Sequence, residues 1–552
     1  MITKFKNISY FNSALVGFEV TNVYFNNQHI CYVGNEEYHF DCEIDQTGRY
    51  LIPGLIDIHM HIESSMTTPT EFSNTVLPLG TTTLVADAHE IANVFGLEGL
   101  LRFMKEETLL DIFHSIPSSV PSTNSSIETS GGSIDVAEVK TLLKEEKVIA
   151  LGEVMNYHDV VSPNSTKIKR IIECFKKAKP FATIEGHIPD LVGTELANFI
   201  SVGISTDHTM QSPKTIKARV DNNVLVQIQE KSITQENIDF LQNLDGKYCF
   251  VSDDVMPDHL IESGHLNYCL KLAISLGLSP EKAIYAATYV PALKMNLSDR
   301  GVIAPGKKAD LIILSDLNAF TIEAVYKNGI LVEQKNKYFI IKPEYLMESI
   351  KLDHYSLDDF ILLSDQDVVS VRAMRREGLS TYTKEVIKEV GVKEGIINWQ
   401  AAGLCLVAVY NRYDGNQPPA IGFLENGFTN DGAICSSWAH DGHNLIVMGN
   451  NVDKMYACLD QVVKQQGGIA IYNQKLEFCP LRYGGIISIE PMPVLAQKLK
   501  IVRQSMIELG YNSHNEIMSF AVLTLPVSPE LKITDKGYIK TATLELLDWR
   551  VK

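Results

Sequence analysis

Long apolar runs are missing from this chain of 552 residues. Nowhere do about eighteen apolar residues follow one another, the length a helix needs to span a bilayer. The opening stretch, MITKFKNISYFNSALVGFEV, also lacks the apolar centre of a signal peptide. These two absences predict a cytoplasmic protein with no membrane partner. Positive charge is short as well: 49 Lys and Arg face 67 Asp and Glu, a net charge of -18. Most of such a surface repels a polyanion, which excludes a nucleic-acid partner and favours a small or neutral ligand. The nine cysteines, an odd number scattered from Cys31 to Cys479, contain no C-x-x-C pair. A Cys-rich zinc site is therefore excluded, and the thiols read as reduced and structural. The glycines of ETSGGS do not follow a strand in the dinucleotide-binding pattern, so they predict a loop and not a phosphate cradle.

What is present is size and rhythm. With 45% hydrophobic residues the chain can bury a large core in two or three domains. Between Leu55 and Ser252 one phrase repeats, a short apolar or β-branched run followed by polar residues and an amphipathic stretch. The runs are 55–58, 82–86, 111–116, 148–152, 181–184, 202–206, 224–228 and 248–251. Eight such units predict a (β/α)8 barrel over 52–298, with an open doubly wound sheet as the alternative; a barrel carries its chemistry on the loops after each strand. Residues 1–51 and 299–345 read as short strands and turns and are expected to pair into one composite β domain. From 365 to 552, strand-like runs such as GLCLVAVYNRY and helical patterns such as NVDKMYACLDQVVKQQG predict an α+β domain. The charged stretch between them, 344–366, is expected to be a connector with one helix.

The chemistry-bearing residues sit at the ends of these runs. His59 and His61 stand two apart beyond the first run, where extended geometry lets both imidazoles reach one ion. A lone His-x-His is as easily two ordinary polar residues. Here, however, later runs also end in potential ligands: Glu153, His187, His208 and Asp253. Four histidines and two carboxylates suffice for two divalent ions if Glu153 bridges them, and a nitrogen and oxygen set suits zinc, iron(II) or manganese. Two ions sharing a water lower its pKa and supply a hydroxide at neutral pH, so such a site does hydrolysis. Asp253 could touch a metal and accept a proton, leaving Asp254 to cap a turn. Glu90, beside His89 in VADAHEIANVFG, is placed to protonate a ring nitrogen or leaving group, or else simply to favour a helix amino terminus.

The stretches PGLIDIHMHIESSM and LPLGTTTLVADAHEIANVFG resemble the adenine deaminases of the amidohydrolase superfamily. So do LGEVMNY, EGHIPDLVGTELANFISVGISTDH and VSDDVMPDHLIESGHL in the same order, and DGAICSSWAHDGHNLIVMG with LTLPVSPELKITDKGYI near the carboxyl end. The resemblance covers almost the whole chain. It implies an amidohydrolase-type barrel with a split β domain and an α+β tail, two divalent ions with manganese or iron favoured, and hydrolysis of adenine to hypoxanthine and ammonia. It makes His59, His61, Glu153, His187, His208 and Asp253 metal ligands, with Glu90 and Asp253 moving protons. A homodimer is the default expectation for such an enzyme. Hydrolysis of another aminopurine or of a cyclic amide at the same centre is an alternative, and so is an inactive relative kept for binding.

Two departures from the family pattern fall at the expected barrel mouth: Thr209 stands where glutamate is usual, and Gln229 where arginine is usual. Together with His89 they are candidate substrate contacts, and their change would alter which ring fits. Leu79 and Ala88 replace the family's histidine and proline and are read as packing changes. His440 and His443, in SSWAHDGHN, could form a second metal site, a wall over the active site or a subunit interface. Glu63, Ser64 and Ser65 could orient the histidine pair or cap the first barrel helix.

Overall fold

The protein is described by a computed structural model over residues 1–333, 347–415 and 417–551. Eight strands follow one another in chain order around one parallel sheet: Leu55–Met60, Thr81–Asp87, Asp111–Ile116, Val148–Val154, Thr183–Gly186, Thr206–Asp207, Leu225–Ile228 and Tyr248–Phe250. The sheet closes where Met60 bridges Asp253 in parallel and the Asp253 N–H donates to the His59 carbonyl at 3.1 Å. Barrel strands are covered on both sides, and Leu55–Met60 and Thr81–Asp87 are buried along their whole length.

Strand limits differ from expectation where packing overrides composition. The fifth run starts at Thr183, because Phe181 projects into solvent with 91% of its surface exposed. The sixth shrinks to Thr206–Asp207, since Val202 and Gly203 turn the chain after the preceding helix. The first runs on through His59 to Met60, so one of the two histidines belongs to the strand itself.

Both flanks contribute to a second sheet. Strands Thr3–Asn12, Gly17–Phe25, Ile30–Val33, Cys42–Asp45 and Tyr50–Pro53 join Leu311–Asp316, Thr321–Lys327 and Ile330–Leu331. Asn328 and Gly329, both at positive φ, make the tight turn between the last two. The remainder of the second flank, 334–345, lies outside the described residues. This sheet is tied to the amino-terminal face of the barrel by charge: Asp111 accepts from Arg300 at 2.8 Å, Lys308 at 2.7 Å and Lys327 at 2.8 Å. Burial would raise the Asp111 carboxyl, but the neighbouring Lys327 and Arg300 hold it below its ordinary value.

The last third of the chain forms a nine-stranded sheet running from Ile396–Ile397 at one edge to Leu476–Pro480 at the other, and a three-stranded sheet, Leu531–Thr534, Gly537–Lys540 and Glu545–Leu547. Helix Val452–Lys464 buries Met455, Cys458, Leu459, Val462 and Val463, the three-and-four spacing of a single apolar stripe, and Asn451 caps its start. Of the connector, the described part from 347 holds a single turn of 3-10 helix, Leu357–Phe360, and 344–346 lie outside the described residues. This region shares a core with the barrel: Met60, Ile62 and Met66 pack in one cluster with Trp438, Ile486 and Met492. The ETSGGS loop lies at the same junction. A Cβ on Gly132 would come within 2.2 Å of the Gly96 nitrogen, so only glycine lets the loop lie on the helix that carries Glu90. Among the described residues no helix is long and apolar enough to cross a membrane.

Lys532 is wholly buried in strand Leu531–Thr534, and its ammonium donates to the Thr381 carbonyl at 2.9 Å. Burial pushes its pKa down to about 7 from 10.5. Between those values the unfolded chain binds a proton that the folded chain does not, so stability rises with pH across the window, by up to about 1.4 kcal/mol per pH unit. Lys532→Met is expected to raise the apparent melting temperature at pH 7 and to flatten its rise from pH 7 to 9, measured by thermal unfolding at both values.

Candidate metal centre and active site

At the carboxyl ends of the barrel strands five ionisable side chains meet out of solvent. His59 Nε2 lies 3.7 Å from Asp253 Oδ1, and His61 Nε2 lies 3.5 Å from the same oxygen and 3.4 Å from Glu153 Oε1. His208 Nε2 is 3.2 Å from Glu153 Oε2. A sixth, His187, reaches that oxygen at 2.9 Å but keeps 36% of its side chain exposed, so it forms the open side of the cluster. Burial would raise both carboxyls. The rings of His208 and His187 nonetheless hold Glu153 well below its ordinary range, and those of His59 and His61 do the same for Asp253. Of the two adjacent aspartates, Asp253 faces the histidines, whereas Asp254 accepts from Ser64 Oγ at 2.5 Å.

Local structure aims these groups. His61 Nδ1 donates to the Asp87 carbonyl at 2.8 Å and His59 Nδ1 to Glu185 at 2.7 Å, which turns the Nε2 of both rings inward. Asp253 adopts φ +56, a left-handed turn that swings its side chain back over the barrel mouth. Below the mouth, Asp207 Oδ2 pairs with Arg219 Nε at 2.8 Å, both residues fully buried. Its Oδ1 accepts from the Ile188 and Thr209 amides at 3.2 and 3.1 Å, and so fixes the turns that carry His187 and His208.

The cluster fits divalent cations. His59 Nε2 and His208 Nδ1 are buried without a hydrogen-bond partner among the described residues. Nitrogen–oxygen separations of 3.4–3.7 Å are too long for hydrogen bonds. They are close to the edge of a coordination shell with bonds of about 2.1 Å. Among the described residues four overlapping groups have ligand atoms within 4.8 Å of one another: His59, Glu153 and His208; His59, His61 and Asp253; His61, His89 and Glu153; and His89, Glu90 and Asp441. His89, expected near the substrate, thus faces the same carboxylate, its Nδ1 3.7 Å from Glu153 Oε1.

Beside His89, Glu90 is fully buried and gripped from the last third of the chain. Its Oε1 lies 2.7 Å from His440 Nδ1, and its Oε2 is in close contact with His443 Nε2. Burial alone would raise the Glu90 carboxyl, but the two rings hold it well below its ordinary range. Burial also lowers His440, but Glu90 more than reverses this and raises it well above 6.5, whereas His443 stays depressed. His440 and His443 therefore wall this end of the barrel.

The Amidohydrolase family profile matches residues 50–332, and the Adenine deaminase C-terminal domain profile matches 380–545. An Adenine deaminase 2 of Oenococcus oeni is 45% identical over 92% of this chain and 91% of its own. The chain belongs to the adenine deaminase family of amidohydrolases. An adenine deaminase of Clostridium perfringens is 43% identical over 97% of both chains, and one of Lactobacillus delbrueckii subsp. bulgaricus 42% over 98% of this chain and 97% of its own. Membership implies a divalent metal.

The two departures from the adenine deaminase pattern have a structural use. Thr209 Oγ1 lies 2.9 Å from Asp207 Oδ1 and 3.1 Å from the Ile188 carbonyl, and Gln229 Nε2 donates to the His208 carbonyl at 2.7 Å. Their polar groups, expected at the substrate, bind the scaffold of His208. Glu63 likewise accepts the Ile91 amide at 3.2 Å, Ser65 donates to the Val255 carbonyl, and Thr68 is the residue that caps the first barrel helix. The orienting carboxylates Glu185 and Asp207 were not singled out from the sequence. A signal for them is there, since each interrupts an apolar strand one or two residues before a histidine.

Removing the Arg219 side chain strands a buried carboxylate, at a cost of about 3–5 kcal/mol. Arg219→Met is expected to lower the apparent melting temperature by several degrees and to reduce bound metal, measured by thermal unfolding and elemental analysis.

Proposed function

We propose that this protein hydrolyses adenine to hypoxanthine and ammonia. The observation that carries this reading is the convergence of His59, His61, Glu153, His187, His208 and Asp253 on one cluster, open only at His187, with Glu90 beside it. The names of the relatives support the substrate.

In this reading His59, His61, Glu153, His187, His208 and Asp253 would hold two divalent ions. The all-nitrogen-and-oxygen set suits manganese or iron(II) and also accommodates zinc. Such ions, when bound, acidify water and stabilise negative charge on oxygen. Asp253, held ionised between His59 and His61, accepts a proton from the water that adds to C6 and delivers it to the departing amine. Glu90, ionised between its two imidazoles, takes up the other proton of that water and passes it to the ring nitrogen beside C6, so that electron density moving out of the ring meets a proton and not a buried charge. Glu185 and the Asp87 carbonyl keep the imidazoles in register, and the wall of His440 and His443 excludes water from the acid. The enzyme is expected to work in the cytoplasm as a homodimer, its barrel, composite β domain and carboxy-terminal domain acting as one unit.

The test is ammonia release from adenine by protein loaded with manganese or iron(II). Chelation and Glu153→Ala are expected to abolish it, the variant with loss of bound metal, and Glu90→Gln to lower kcat by about 100- to 10,000-fold while metal is retained. Ammonia from other aminopurines but none from adenine would refute the assigned substrate and leave the reaction class standing.

A further inference from the structure

The two strands that close the barrel carry His59 and lead into Asp253, and a chain of buried polar side chains runs along their seam. The ladder between the first and second strands is irregular between Asp57 and Met60, the kind of local break that re-aims a side chain. There the His59 N–H donates to the Asp57 side chain, to Oδ1 at 3.2 Å. Asp57 Oδ2 accepts the Ser252 N–H at 3.1 Å and lies 2.5 Å from Ser252 Oγ. One carboxylate therefore fixes the amide of His59 and that of the residue before Asp253. Ser252 Oγ is 3.0 Å from His265 Nε2, and His265 Nδ1 is 2.8 Å from Thr81 Oγ1 at the start of the second strand. Thr81, Asp57, Ser252 and His265 are all buried. Burial pushes the His265 ring down to about 3 from 6.5, so it is neutral, with one nitrogen that donates and one that accepts. Whichever way the protons run along the chain, both ring nitrogens have a partner.

We propose that His265 is a positioning residue for the metal centre: through Ser252 and Asp57 it sets the spacing between His59 and Asp253, and with it the affinity of the group His59, His61 and Asp253 for its ion. The inference rests on the metal-dependent reading above. Asp57 can turn about its own side-chain bonds, so it aims two amides only as well as its Oδ2 is held. The Ser252 hydroxyl holds that oxygen, and His265, anchored at its far nitrogen by Thr81, holds the hydroxyl. Cutting the ring away from Ser252 leaves the hydroxyl and the carboxylate short of a fixed partner in a dry seam, where an unpaired polar group is costly. The two strand ends then relax, and His59 Nε2 and Asp253 Oδ1, 3.7 Å apart, lose the fixed separation that a coordination shell requires. Groups that orient ligands from behind are worth about 10- to 100-fold in metal affinity.

The test uses full-length protein stripped of metal and titrated with manganese, with bound metal read by elemental analysis and ammonia release from adenine read in parallel. Asparagine at 265 places an amide near the Nδ1 position, within reach of Thr81 but too short for Ser252; glutamine places one near Nε2 and keeps the Ser252 contact. His265→Asn is expected to weaken binding of one of the two ions by about tenfold, with the KM for adenine within about threefold of wild type at saturating metal, and His265→Gln to recover most of the loss. In a Ser252→Ala background His265→Asn is expected to cost less than about twofold, because the histidine acts through that hydroxyl. Wild-type metal affinity in His265→Asn, equal losses in the two variants, or additive losses beside Ser252→Ala would overturn the inference; the last two mark a packing role. If His265→Asn loses its melting transition, Ser252→Ala decides, since it cuts the same link with a smaller change and must itself weaken one ion by about tenfold. Wild-type protein that binds two ions and releases no ammonia from adenine overturns the assigned substrate and leaves the role of His265 standing, whereas wild-type protein that binds no ion overturns both.

Discussion

Imidazoles and carboxylates removed from water lose the hydration that makes their charges tolerable, and at the mouth of this barrel His59, His61, His208, Glu153 and Asp253 are almost completely buried together. They persist because opposite charges face one another and because two of the rings are tied down at their outer nitrogens. Glu185 takes the Nδ1 proton of His59, the Asp87 carbonyl that of His61, and the Gln229 amide fixes the backbone of His208. What is left pointing inward around His59 and His61 is a set of nitrogen and oxygen atoms with too much space for hydrogen bonds and about enough for cations. The rest of the architecture can be understood as holding that mismatch open.

Two layers of support do this. Strand closure through His59 and Asp253 makes the eighth strand's aspartate part of the same ring as the first strand's histidine, so the metal-facing residues depend on the barrel being complete. Beneath them, Arg219 and Asp207 form an ion pair buried on both sides. That pair is costly to break, and its carboxylate sets the turns of His187 and His208. Charge also joins the flanking sheet to the other barrel face, where Asp111 meets three cations far from the chemistry. That contact serves stability, as the amino-terminal face of a barrel usually does.

The region after the connector does more than cap this arrangement. Its apolar core is continuous with that of the barrel, and the ETSGGS loop, legible beforehand only as a loop, is a glycine contact against the helix of Glu90. The wall reading of His440 and His443 was open in the sequence beside a metal site and a subunit interface. Their separation of three residues gives no direction by itself, and only the turn from Ala439 to His443 aims both at one carboxylate. Thr209 and Gln229, read as departures at a mouth that alter substrate contact, also carry hydrogen bonds that run into the scaffold, a use the sequence does not show because a hydroxyl or amide serves either purpose.

The chain by itself determined the eight βα units, the candidate ligands and the family. Apolar runs must be buried in any fold, and a histidine or carboxylate ending most of these runs is visible without coordinates. Glu185 before Gly186 and His187 shows the limit: the carboxylate is plain in the sequence, but its partner is His59, 126 residues away on another strand. Tertiary structure alone decided such pairings, the inward nitrogen of each ring, and the grip of His440 and His443 on Glu90. Spacing along a chain reports which residues share an element, whereas hydrogen-bond direction depends on atoms that only folding brings within 3 Å of one another.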